Sequence, residues 1–106
     1  MKGDIVVISF PFSDFRTYKR RPALIAARPV GEDVVLAQIT SNINNSKYSV
    51  KISSESMKNG ILEVASIVKV NRLFSVDKAA IIRKIGTLNK SKMNEVENSI
   101  IALFTA

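Results

Sequence analysis

The chain has 106 residues, no cysteine and no histidine, and 16 Lys+Arg against 9 Asp+Glu give it a net charge of +7. That length suits a single domain, 1–106, and the missing residue types exclude disulfides, thiolate metal sites and any imidazole proton shuttle or ligand. A balance this basic favours a polyanionic partner, nucleic acid or an acidic protein, over a charge kept for solubility alone.

No apolar run approaches the roughly 20 residues of a membrane-spanning helix. The opening Met1-Lys2-Gly3-Asp4 carries no apolar signal core, and cysteine is absent, so the expectation is a cytoplasmic protein with no membrane contact. In chain order, residues 4–10 are rich in β-branched side chains and read as a strand. Pro11 ends its ladder for want of an amide hydrogen. Residues 13–20 are polar and basic and read as a loop. Pro22 opens a second strand over 23–27, and a turn at 31–33 leads to a third over 34–40, which makes a hairpin of ordinary loop length.

Residues 41–47 have loop chemistry. Residues 48–52 alternate as a half-exposed strand does, and 53–60 are polar with Gly60 as a stop. Two strands follow over 61–64 and 66–74, then a short helical turn at 77–80. The last strand is 81–86, with Gly86 marking a bulge. Met93, Val96, Ile100 and Leu103 then recur at spacings of three and four, one apolar stripe on an amphipathic helix that Asn89 caps. The stripe serves either the chain's own sheet or a partner. Six or seven short strands and a terminal helix predict a mainly β small barrel or strongly curled sheet. The runs at 5–10, 23–27 and 34–39 do not alternate cleanly, so both strand faces are expected to be covered, partly by a second subunit.

Two stretches carry candidate chemistry. Between Ser13 and Arg21, the cations Arg16, Lys19, Arg20 and Arg21 interleave with Phe15 and Tyr18. Single-stranded nucleic acid binding uses this mixture, because charges hold phosphates while rings stack on bases; a solvated hairpin loop has the same composition. At the end of the third strand, Gln38-Ile39-Thr40-Ser41-Asn42 offers hydroxyls and amides that can donate to a phosphate, or simply make a turn. The carboxylates Asp4, Asp14, Glu32, Asp33, Glu55, Glu63, Asp77, Glu95 and Glu97 are scattered. Their spacing suggests neither a metal cage nor an acid/base pair, and no nucleotide motif or cofactor signature occurs. Asp14, inside the basic loop, pairs most simply with Arg16 or Lys19 in solvent.

Several segments together resemble the MazF/PemK toxins: Gly3-Asp4-Ile5-Val6, Phe10-Pro11-Phe12-Ser13-Asp14, Lys19-Arg20-Arg21-Pro22-Ala23-Leu24-Ile25 and Ala37-Gln38-Ile39-Thr40-Ser41. Ser66-Ile67-Val68, Leu73-Phe74-Ser75-Val76-Asp77 and Lys84-Ile85-Gly86-Thr87-Leu88 continue the likeness, in the same order, to the terminal helix. The resemblance implies an SH3-like barrel, homodimeric, with an RNA groove at or near the dimer interface. It implies metal-free cleavage of single-stranded RNA to a 2′,3′-cyclic phosphate and a 5′-hydroxyl, and inhibition by an acidic antitoxin, with DNA reached only through the antitoxin complex.

Carried over by residue, the family's essential arginine falls on Arg21 and its essential threonine on Thr40. Phe15, Arg16, Tyr18, Lys19, Arg20, Ser41 and Asn42 are then the expected RNA contacts. Phe74 stands where many members carry a basic side chain, with Arg72 the neighbouring substitute. Arginine suits phosphate as a fixed, permanently charged fork, yet with a pKa above roughly 12 it is a poor base; Lys19, Arg20 and Asp14 are second-line candidates for proton transfer. The rival readings are a CcdB-like poison of DNA gyrase, built on the same barrel, and a non-catalytic nucleic-acid-binding barrel.

Overall fold

The computed structural model describes residues 1–11, 18–44 and 46–106. Seven strands, Asp4–Pro11 (β1), Tyr18–Ala27 (β2), Asp33–Thr40 (β3), Ser49–Ile52 (β4), Met57–Gly60 (β5), Ser66–Asp77 (β6) and Ile81–Leu88 (β7), precede the helix Lys90–Phe104 (α1). They form one sheet in the order β4-β6-β3-β2-β1-β7-β5, and every pairing is antiparallel. β4 and β5 are its two edges, so the sheet curls into a half-barrel.

The curl explains the poor alternation in the apolar runs. Ile5, Leu24, Ala37 and Ile39 face a main core that α1 closes with Met93 and Val96. Their neighbours Val6, Ile8, Ala23, Ile25, Val34 and Leu36 face a second cluster, against which Phe74, Val76 and Ile81 pack. The chain's own residues therefore line both faces of the central strands. Burying a side chain such as Leu24 or Leu36 contributes about 1.5–3 kcal/mol.

β6 reaches both cores because it bends. Ala37 pairs with Leu73 but Gln38 pairs with Lys69, so residues 70–72 form a bulge, and bulges increase local twist and bend. Residues before it (Ile67, Val68) and Val70 are buried, and Phe74 and Val76 beyond it serve the second cluster.

Three expectations require correction. Tyr18, Lys19 and Arg20 belong to β2, not to a loop, because Pro11, Phe10 and Ser9 offer them a ladder. Pro22 accordingly lies inside a strand. It precedes the first β2–β3 pair, Ala23 with Gln38, so β1 alone flanks it and one side has no ladder for it to break. Residues 61–64 are not a strand. Gly60, at φ +78°, ends β5 against β7, where a Cβ would meet the carbonyl oxygen of Ile85. Leu62 alone of that stretch turns into the core, while Ile61 and Val64 stay exposed. In the polar stretch 53–60, a 3₁₀ turn over Ser54–Ser56 leads directly into β5.

Other landmarks fall where the sequence puts them or one residue away. Asp77 accepts from the amide of Ala79 at the 3₁₀ turn Lys78–Ala80. The bulge is displaced by one residue from the expected Gly86: Ile5 pairs with Gly86 but Val6 with Lys84, which leaves Ile85 as the extra residue. The Asn89 side chain accepts from the Lys92 amide at 2.8 Å, and its own amide donates to the carbonyl of Ser56 at 2.7 Å, tying the helix start to the 3₁₀ turn before β5. Asp4, only 7% exposed, accepts from the terminal ammonium at 2.9 Å and from Thr87 Oγ1 at 2.8 Å. Burial alone would raise its pKa. The two hydrogen bonds, with the charges of the terminus and Lys84, outweigh that and hold the carboxyl below the usual carboxylate range.

Candidate active site

Arg21 and Thr40 are 19 positions apart in sequence but line one cleft of about 330 Å³, together with Ser41. β2 supplies Arg21 and Pro22, the end of β3 supplies Ile39 to Ser41, residues 61–64 form one rim, and β7 supplies Arg83 and Ile85. The register explains the convergence: Val7 pairs with Pro22 on one side and with Arg83 on the other. β1 thus stands between the two arginine-bearing strands and holds one on each side.

Thr40 is half-buried at the last β3–β6 pair, opposite Ile67. Its Oγ1 accepts from the Asn42 amide at 3.1 Å. A hydroxyl that already accepts retains its own O–H to donate, so the turn at 40–42 fixes the side chain and leaves a donor for a ligand in the cleft. Asn42 does not line the cleft itself; it contributes the amide that orients Thr40. Ser66 lines the cleft but donates to the Val64 carbonyl at 2.9 Å, which holds the rim rather than offering a nucleophile.

The remaining predicted contacts distribute differently. Lys19 and Arg20 are exposed on β2, paired with Phe10 and Ser9, and are not among the cleft's lining residues. Tyr18 begins β2. Phe15 and Arg16, and the second-line candidate Asp14, lie outside the described residues. Arg72 is exposed on β6 and is not among the cleft's lining residues. Phe74 packs against the second core cluster. Two charged cleft residues, Arg83 and Glu63, went unnoticed as site residues. Each stands in an ordinary stretch of sequence, and only the β1–β7 pairing and the path of residues 61–64 bring them to Arg21. Among the described residues, they and Arg21 give the cleft two positive charges and one negative.

A family model of PemK-like, MazF-like toxins of type II toxin–antitoxin systems matches residues 1–104. The chain belongs to this toxin family. Among solved structures, the toxin is similar to the Mycobacterium tuberculosis toxin MazF-mt6, with 24% identity, 96% of each chain covered and a TM-score of 0.75. It is also similar to MazE-MazF from Deinococcus radiodurans, at 18% identity, TM-score 0.79, and 98% and 94% of the two chains. A mycobacterial endoribonuclease in complex with its cognate antitoxin aligns at 14% identity and TM-score 0.79, over 99% of this chain and 94% of that one. These likenesses establish the half-barrel with its terminal helix as the MazF fold. A search of curated proteins finds no match.

Proposed function

We propose that this toxin is an endoribonuclease that cuts single-stranded RNA without a metal. The 2′-hydroxyl attacks the adjacent phosphorus, and the products are a 2′,3′-cyclic phosphate and a 5′-hydroxyl. The observation that carries this reading is the meeting of Arg21, Thr40 and Ser41 in one cleft of a chain that belongs to the MazF/PemK family.

In this reading Arg21 binds the scissile phosphate with its planar fork and stabilises the charge that builds on the phosphoryl oxygens, commonly the largest catalytic contribution. Thr40, held by Asn42, donates to the same phosphate, and Ser41 adds a second hydroxyl. Lys19 and Arg20 on β2, with Phe15, Arg16 and Tyr18, hold the strand that leads to the cleft by charge and stacking. The chemistry fits a chain without histidine or cysteine, because charge stabilisation by arginine needs neither. The protein acts in the cytoplasm as a homodimer, and an acidic antitoxin, through which alone it meets DNA, silences it. Exposed Ile101 and Phe104 on α1 support burial by a partner surface, and a net charge of +7 supports both polyanionic partners.

Incubation of purified protein with single-stranded RNA in EDTA is the test. Cleavage with cyclic-phosphate ends is expected. Intact RNA, or stalled gyrase in its place, would overturn the reading.

A further inference from the structure

Building on this ribonuclease reading, we propose that Glu63 is the general base of the cleft, accepting the proton of the attacking 2′-hydroxyl. In-line attack requires a proton acceptor beside that hydroxyl. Of the side chains that face the cleft, Arg21 from β2 and Arg83 from β7 are permanently protonated. Thr40 and Ser41 from β3 are hydroxyls, far weaker bases than a carboxylate, and Ser66 is spent on the Val64 carbonyl. Among the described residues that line the cleft, Glu63 carries the one carboxylate.

Its setting suits the task. Leu62, only 8% exposed, anchors the chain immediately before it, and the hydrogen bond from Ser66 to the Val64 carbonyl anchors the residue immediately after it. The backbone of Glu63 is thus pinned on both sides while its side chain stays exposed at the rim. Among the described residues no ion pair engages Glu63 or Arg83, so the carboxylate is not committed elsewhere. A lone carboxylate would repel a phosphate; two arginines in the same cleft more than offset it.

The step balances without a co-reactant. The Glu63 carboxylate takes the 2′-proton as the 2′-oxygen bonds to phosphorus and the bond to the 5′-oxygen breaks. The departing 5′-oxygen takes a proton from solvent, and Glu63 returns its own to solvent.

Glu63→Gln is expected to lower kcat by about 10²–10⁴-fold, the usual range for general-base loss. It should hold or tighten, not weaken, the affinity for an oligonucleotide carrying a 2′-deoxy sugar at the cut site, because the amide no longer repels the phosphate. Wild-type kcat should fall toward acid pH as the carboxylate is protonated, Glu63→Gln should lose that limb, and Glu63→Asp should regain part of the rate. Glu63→Gln cutting at the wild-type rate, or keeping the acid limb, would overturn this inference alone. Wild-type protein that leaves RNA intact would overturn the ribonuclease reading beneath it.

Discussion

Arg21 and Arg83 line the same cleft with the same charge, and the proposed chemistry gives the scissile phosphate to Arg21, the arginine that carries the family likeness. Arg21→Ala is expected to reduce RNA cleavage on the order of 10²–10³-fold with folding intact by circular dichroism. Arg21→Lys should recover only part, because a point charge does not replace a planar fork. Arg21 and Thr40 were legible from sequence because each sits in a local run, Arg21-Pro22 and Ile39-Thr40-Ser41, that carries the family likeness. Glu63 was not: a carboxylate among nine acquires a role only from what stands across from it. Asp4 gives a residue-scale prediction of another kind. Its folded-state pKa lies below its unfolded one, so its stabilising contribution is complete above the ordinary carboxyl range, about pH 4, and is lost as pH falls through the lower folded value. Asp4→Asn should cost about 1–3 kcal/mol at neutral pH in urea unfolding, and the gap to wild type should close in acid.

Among the elements, β5 is the shortest strand together with β4, and its contact with β7 rests on two glycines. A Cβ on Gly86 would meet the carbonyl oxygen of Asn59, and one on Gly60 would meet that of Ile85. Gly86→Ala should therefore destabilise the protein by about 1–3 kcal/mol, as overpacking does, a fall in Tm of roughly 4–8 °C per kcal/mol for a chain of this size. The cap at Asn89 and the stripe of α1 were visible in sequence, because caps and periodicity are local properties; the bulge expected at Gly86 falls one residue earlier, on Ile85. Strand limits were not. Residues 18–20 are polar and basic but join β2 since β1 extends far enough to pair with them. Residues 61–64 carry three apolar side chains, two of them β-branched, around Glu63 but find no ladder, because Gly60 turns the chain off the edge of β7.

At the scale of the whole molecule, a mainly β curled sheet with a terminal helix follows from short strands at close spacing, and the incomplete alternation foretold two covered faces. What sequence spacing does not reveal is the strand order, in which β7 crosses over to flank β1. That crossing is what carries Arg83 to the cleft. The net charge of +7 makes RNA affinity salt-dependent, with a log–log slope of about −0.7 for each phosphate neutralised on a single strand, so Arg83→Gln should make the measured slope shallower by about 0.7. The cleft's walls come from residues 21–22, 39–41, 61–64, 66, 83 and 85, spread over most of the chain, and the helix that closes the core beneath them follows all of these in sequence. During translation, β1 to β6 leave the ribosome before β7 is released to flank β1, and before Met93 and Val96 emerge to seal the core. A nascent chain therefore has no complete cleft to fill until β7 and α1 have left the ribosome.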